Sequence, residues 1–369
     1  FDSDDNLWAG SVYRGKGIDV IDIKTKTVIN HVPPNANDER GISMWRTRED
    51  SEGRIWGLTQ YDLFVSDKKK MNFESVWERS NVKFKDTGRI WNMMLGSENR
   101  FWIFSEKKTW WVEFLGDSIN WVDASTKKAN LKDVKNIGGY DRKNKSNFID
   151  DFYLFVKYAS TRARASEQLL SVSHKNFKVD TLYDHSKAEK KIPGFGSITD
   201  INQSRDGIYW FTTYGEGFTR FDLSTREFEH FGIKDGLPNS YLYCIYEDNA
   251  GYMWMSSNFG IIRFDPKDRS FRQFGMADGI QNLEYNSDSH TQAKDGTLFF
   301  GGLSGINFFN PNTLKDNPNK PTILIESFSK SDSIFAIHKS DNSRERYNIY
   351  YYEKDLSFNF AAIDYRNPS

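Results

Sequence analysis

The feature that most constrains this chain is a repeat. Ile198-Thr-Asp-Ile201, Asp206-Gly207-Ile-Tyr-Trp210, Gly217-Phe-Thr-Arg-Phe-Asp222 and Phe228-Glu-His-Phe231 follow one another in that order. The series returns as Leu242-Tyr-Cys-Ile245, Ala250-Gly251-Tyr-Met-Trp254, Gly260-Ile-Ile-Arg-Phe-Asp265 and Phe271-Arg-Gln-Phe274. It begins a third time with Asp295-Gly296-Thr-Leu-Phe299 and Gly305-Ile-Asn-Phe-Phe-Asn310. The turn glycines 207, 251 and 296 stand 44 and then 45 residues apart. Each unit reads as four short strands. Asp-Gly between apolar runs signals a hairpin whose two central residues are expected at positive φ. Four short strands in a period of about 40–50 residues make a propeller blade, not a helical solenoid.

The same frame extends upstream with more drift. Asn6-Leu-Trp8 leads to Gly17-Ile-Asp-Val-Ile-Asp22, Gly53-Arg-Ile-Trp56 to Leu63-Phe-Val-Ser-Asp67, and Asn99-Arg-Phe-Trp102 to Trp110-Trp-Val-Glu-Phe114. Between positions 99 and 207 there is room for two periods, and Asp151-Phe-Tyr-Leu-Phe-Val156 is the best second strand for a divergent blade within 103–197. Composition agrees: 29 Phe, 18 Tyr and 11 Trp favour pleated surfaces. The expected fold is all-β, a seven-bladed propeller of four-stranded blades over residues 1–316. Aligned on its turn, Phe1 falls where a first strand ends, so sequence upstream is expected. Asp316-Asn-Pro-Asn-Lys-Pro321 is a linker. Thr322-Ile-Leu-Ile325, Tyr347-Asn-Ile-Tyr350 and Leu356-Ser-Phe-Asn-Phe-Ala361 then alternate as strands of a truncated second β unit over 317–369.

Charge and composition exclude several roles. Fifty Lys and Arg against 51 Asp and Glu leave no basic excess for nucleic acid. No run approaches the roughly 18 apolar residues that span a bilayer, so membrane attachment would come only through a missing downstream segment. The single cysteine, Cys244, reads as a small buried strand residue. Histidines 31, 174, 185, 230, 290 and 338 have no metal-ligand spacing. Asp2, Asp4 and Asp5 lack the spacing of a calcium loop and read as a solvated turn. Neither a metal nor a cofactor is expected.

Several segments resemble a known family. Asp235-Gly-Leu-Pro-Asn-Ser240, Glu247-Asp248, Gly251-Tyr-Met-Trp254, Gly260-Ile-Ile-Arg-Phe-Asp265 and Phe271-Arg-Gln-Phe274 closely resemble the two-component regulator propeller repeat. Ala277-Asp-Gly-Ile280, Glu284-Tyr-Asn286 and Phe299-Phe-Gly-Gly-Leu-Ser-Gly-Ile-Asn-Phe308 look like the last blade of such sensors. Leu356 to Pro368 resembles the start of the Y_Y_Y β-sandwich domain, which in this family joins the propellers to a transmembrane helix. The resemblance implies the periplasmic, extracytoplasmic sensor region of a hybrid two-component system histidine kinase, here the second of two propellers. It further implies a small-molecule or glycan-derived oligosaccharide ligand, and a homodimer is expected in the full receptor. The kinase machinery itself is not in these residues.

Site residues follow from what the repeat leaves free. The periodic tryptophans are assigned to packing between blades. Aromatic and polar residues that break the repeat lie in loops between second and third strands, or in segments leading into the next blade, and both open on one face. Tyr13, Arg14, Tyr61, Tyr214, Tyr241, Asn258, Tyr285 and Asn286 are placed there, with Arg40 and Arg89 just before innermost strands. Tyrosines there would stack on sugar rings, and the arginines would pair with sulfate or carboxylate. No catalytic constellation stands out, so the chain is read as a non-catalytic sensor. A propeller glycosidase or polysaccharide lyase, and a protein-interaction scaffold, are the competing readings.

Overall fold

The computed structural model describes residues 1–10, 18–32, 46–50, 52–59, 63–67, 73–76, 80, 82, 87–88, 90–95, 100–105, 108–115, 118–123, 137–139, 152–158, 166–173, 178–314, 322–330, 333–336, 348–350 and 355–363. The chain divides into two compact units, Phe1–Thr313 and Leu314–Ser369.

Seven antiparallel sheets build the first unit among the described residues. Sheet I holds β1 (Asn6–Gly10), β2 (Ile18–Asp22) and β3 (Thr27–Val32). Sheet II holds β4 (Arg46–Glu49), β5 (Arg54–Leu58), β6 (Leu63–Asp67) and β7 (Glu74–Ser75). Sheet III is β8 (Ile90–Leu95), β9 (Arg100–Ser105), β10 (Thr109–Leu115) and β11 (Ser118–Asp123). Sheet IV is β12 (Ile137–Gly139), β13 (Phe152–Tyr158), β14 (Ser166–Ser173) and β15 (Val179–Asp184). Sheet V follows with β16 (Ile198–Gln203), β17 (Tyr209–Thr213), β18 (Phe218–Phe221) and β19 (Phe228–Phe231). Sheet VI contains β20 (Tyr246–Glu247), β21 (Met253–Ser257), β22 (Gly260–Asp265) and β23 (Ser270–Phe274). Sheet VII contains β24 (Tyr285–Gln292), β25 (Leu298–Gly302) and β26 (Gly305–Phe309). Strands pair in chain order in every sheet, as a meander blade requires. The second strand placed at Asp151–Val156 is β13.

The sheets pack in sequence as propeller blades. Trp8, Val20 and Ile55 join I to II, while Trp56, Leu58, Phe101 and Ile103 join II to III. β12 lies against β8 and β9, linking III to IV. Leu169, Phe195 and Phe211 join IV to V. Trp210, Phe218 and Phe264 join V to VI, and Trp254, Phe274 and Phe300 join VI to VII. Leu7, Ala293 and Phe299 then bring VII back to I. Phe1 and Phe299 meet edge to face at 5.1 Å, and Lys294 Nζ donates to the Ser3 carbonyl at 3.0 Å. Trp8, Trp56, Trp210 and Trp254 are each a joint between neighbours.

One local device holds the first hairpin of blades I, II and VI. Asp248 Oδ1 accepts the Ala250 and Tyr252 amides at 2.9 and 3.0 Å, and Oδ2 accepts Trp254 Nε1 at 2.7 Å. Asp50 does the same for Glu52, Arg54 and Trp56, and Asp2 for Asp4, Asn6 and Trp8. Asp2 is therefore a buried clamp, not a solvated turn residue. At the Asp-Gly turn only the glycine has positive φ, 86° at Gly207, and Asp206 does not. The expectation of two such residues fails because the turn runs from Ser204 to Gly207, closed by Gly207 N donating to the Ser204 carbonyl at 2.9 Å, so Asp206 takes an inner position that needs no positive φ.

The second unit carries a three-stranded sheet ordered β28 (Ser333–Ala336), β27 (Thr322–Lys330), β29 (Leu356–Ile363). Phe358 of β29 opposes Phe328 of β27 in register, their rings 6.1 Å apart.

Candidate ligand-binding rim

The loops between second and third strands and the segments leading into the next blade meet at the junction of blades V, VI and VII. Gly217 and Gly260 sit at φ 94° and 91°, and a Cβ there would strike the carbonyls of Phe231 and Phe274. These turns therefore stay tight against the outermost strand. Tyr214 opens the loop between β17 and β18 that ends at Gly217. Its amide donates to the Ser197 carbonyl at 2.9 Å, and it forms an isolated antiparallel bridge with Tyr241. Leu242 N donates to Thr213 O, and Gly215 N and Gly217 N both donate to Ser240 O at 3.1 Å. Blade V and the strand leading into blade VI are thus stitched through backbone at the rim.

The Tyr214 and Tyr241 rings meet edge to face, centroids 5.0 Å apart, and remain 55% and 40% exposed. Tyr243 lies behind them, 6.2 Å from Tyr214 and buried. Burial pushes its hydroxyl above the ordinary tyrosine value, and Tyr214 and Glu284 push it the same way. Asn258 comes next along the rim, its amide donating to the Tyr241 carbonyl at 3.3 Å. Its side-chain Oδ1 is buried and has no hydrogen-bond partner among the described residues.

Five sequence-selected residues, Tyr13, Arg14, Arg40, Tyr61 and Arg89, lie outside the described residues. Tyr214, Tyr241 and Asn258 come together as above. Tyr285 is a core residue: it opens β24, is 1% exposed, and accepts a hydrogen bond from Asn307 Nδ2 at 2.8 Å. Burial pushes its hydroxyl up to about 12. Asn286 is exposed beside it. Sequence reading missed Tyr243 and Glu284, because the first fell inside a repeated strand and the second inside a family motif.

Nearer the axis, the innermost strands carry a polar ring. Thr199 Oγ1 and Asn202 Nδ2 donate to the Leu242 and Ile245 carbonyls, and Ile245 N donates to Asp200 Oδ2 at 3.1 Å. The Tyr246 hydroxyl lies 2.8 Å from His290 Nδ1, and Arg46 pairs with Asp288 at 2.6 Å. Burial pushes the His290 imidazole below its ordinary value; Asp200 and Asp288 oppose this, while Arg46 and Arg48 add to it. The described residues contain no group of three acidic, histidine or cysteine side chains able to hold a metal ion. The Cys244 thiol is pushed far up by burial and contacts Ser256 Oγ at 3.1 Å, so it is no thiolate nucleophile.

Residues 236–259, which span Tyr241, Tyr243, the Asp248–Trp254 clamp and Asn258, match the family model described as two component regulator propeller. This segment is similar to a two-component regulator propeller repeat. No curated protein matches the chain in sequence. Among solved structures, the chain is similar to the extracellular domain of a hybrid two component system from B. thetaiotaomicron, at TM-score 0.65 and 17% identity over 98% of this chain and 46% of that one. A second such domain from that organism aligns at TM-score 0.57 and 15% identity, covering 98% and 47%. The chain therefore spans about half the length of these domains. A catalytically inactive virginiamycin B lyase from Staphylococcus aureus, solved with quinupristin, aligns at TM-score 0.52 and 14% identity over 83% of this chain and 95% of the lyase. At these identities the likenesses show the propeller fold. Among the described residues no helix is long and apolar enough to cross a membrane.

Proposed function

We propose that this chain is a non-catalytic ligand-sensing portion of a two-component receptor, working in the periplasm. The observation that carries the reading is a regulator-propeller repeat set in a fold shared with extracellular domains of hybrid two-component systems. The ligand is a glycan-derived oligosaccharide. Its binding passes through the second β unit to a membrane-spanning segment and a histidine kinase beyond it, in a homodimeric receptor. A ligand shifts such an equilibrium only through different affinities for the two signalling states. Seven blades joined by close-packed aromatic interfaces resist deformation, so the change lies in packing between units or between protomers.

Titration calorimetry with a panel of glycan oligosaccharides, run beside chromatography of the same mixtures, tests this. Binding with no turnover is the expected result. Turnover that disappears when one or two carboxylates are neutralised would make the chain a glycosidase or lyase instead. Absence of glycan binding together with a stoichiometric co-purifying protein would make it a scaffold.

A further inference from the structure

In blades V to VII the apolar side chains exposed on connecting segments sit at one end of the strands. Tyr214, Phe259 and Leu303 lie on the loops between second and third strands, and Ile233, Tyr241 and Met276 on the segments that lead into the next blade. Antiparallel pairing in chain order puts both kinds of connection at the same end. Each of the six side chains is at least 40% exposed. The turns at the opposite end, 204–208, 222–227, 248–252, 265–270 and 293–297, carry no exposed large hydrophobic residue. Elsewhere in the first unit Val28, Ile29 and Phe308 are exposed, on strands β3 and β26 and not on these loops. Backbone contacts join the six into one surface. Tyr214 bridges Tyr241, and Asn258 N donates to the Tyr241 carbonyl at 3.3 Å. Gly260 N, next to Phe259, donates to the Leu283 carbonyl at 2.6 Å, and Leu303 N donates to that of Glu284 at 3.3 Å. Gly232, beside Ile233, lies against the Glu216 carbonyl, and Gly275, beside Met276, against the Leu283 side chain.

Size and chemistry together indicate what covers this face. A large side chain presents about 150–250 Å² in all. Six of them, each about half exposed, leave on the order of 600 Å² open, the upper end of what a monomer keeps uncovered. A standard interface takes about 800 Å² from each partner. With the polar atoms between them, the six side chains reach that area in an apolar proportion near the roughly 65% of homodimer contacts. Ile233, Met276 and Leu303 offer neither a flat ring nor a hydrogen-bonding group, so half of the surface suits another apolar protein face. Two-fold symmetry supplies one at once, because the same patch then stands on both sides. We propose that the loops of blades V to VII are the contact face between two copies of this chain. The inference rests on the homodimeric-receptor reading and assigns it a surface. Tyr214 and Tyr241 belong to that surface, so a ligand at the rim lies between protomers, where its binding alters their packing.

Sedimentation equilibrium of the full chain over a wide range of concentration tests this. A reversible dimer is expected. Ile233→Glu and Met276→Glu, at side chains 58% and 64% exposed, each weaken it tenfold or more and leave the melting temperature of the dilute protein unchanged. Phe308→Ser on β26 and Phe360→Ser on β29, also exposed, leave the dimer as it was. A second measurement needs no variant. Amide hydrogen exchange in 214–217, 232–241, 257–260, 275–284 and 302–305 should slow when the parent protein passes from dilute to concentrated solution. A dimer of parental affinity in both glutamate variants, with exchange in those segments independent of concentration, would overturn this face and leave a homodimer standing. So would a dimer lost in Phe308→Ser or Phe360→Ser alone. A chain that stays monomeric at every attainable concentration would sink both the face and the homodimer, while the sensing reading is decided separately by glycan binding.

Discussion

At the scale of single residues, the carboxylate six positions before Trp8, Trp56 and Trp254 matters most. Asp248 satisfies two backbone amides and one indole N–H with two oxygens, in a buried place. Ser204 takes the same position before Trp210, its hydroxyl 3.0 Å from the indole nitrogen. Where the aromatic is Phe299 and has no N–H, the position holds Ala293. Asp248→Ala strands one buried indole N–H and two part-buried amides, and is expected to cost about 2–4 kcal/mol in urea unfolding, given roughly 1–3 kcal/mol for a buried group left open and less for the two amides that water can reach. A second residue-scale effect concerns the turns after the third strands. Lys26, Arg226 and Arg269 all sit at φ 60°, a left-handed conformation that disfavours side chains. Arg226→Gly is expected to raise stability by up to about 1 kcal/mol, the relief of strain exceeding glycine's own entropic cost. A calorimetric melting temperature below the parent's would refute that account.

Elements differ in how they use glycine. Gly251 has φ 92° with open space around its Cβ position, so alanine there meets backbone strain alone. Gly260 has φ 91° and a Cβ would also drive into the Phe274 carbonyl, whose strand β23 pairs with β22. Gly251→Ala is expected to cost about 1–2 kcal/mol. Gly260→Ala should cost distinctly more, because a third strand must separate from its fourth. Equal midpoints for the two variants in denaturant would show that the close approach at the rim turn is not limiting.

For the molecule as a whole, the ring of blades buries titratable groups that become exposed together on unfolding. Burial depresses His185, His230 and His290, against the opposing pull of neighbouring acids. In the unfolded chain they take up protons near their ordinary value of 6.5, whereas the folded protein resists. The unfolded state therefore binds more protons as pH falls through 6.5, and stability declines on that side. Between pH 7 and 5 the unfolding free energy should fall. His290→Gln, which removes the group ringed by Asp200, Asp288, Arg46 and Arg48, should flatten that slope whatever it does to absolute stability. An unchanged slope would mean His290 titrates alike in both states. Asp184 is held at about 2, mainly by the Ser186 hydroxyl, so its stabilisation is lost only as pH drops from 3.8 towards 2.

By itself, the sequence determined what depends on neighbours along the chain. The period of turn glycines, the alternation of strands and the recurring tryptophans already specify antiparallel four-stranded blades, because hairpin pairing and pleat are local. The Asp–Trp clamp was legible as well, in Asp2 and Trp8, Asp50 and Trp56, Asp248 and Trp254, although the run Asp2-Ser-Asp-Asp5 hid it behind surface charge. Tertiary structure decided the rest. Tyr285 follows the same kind of lead-in as Tyr241, yet it points into the joint between blades VI and VII and leaves the rim. Tyr243 and Glu284 are 41 residues apart (284 − 243), and only the curvature of the ring brings them to one tyrosine pair. The open acceptor on Asn258 is invisible in sequence, since being unsatisfied depends on every atom around it and not on the residue that carries it.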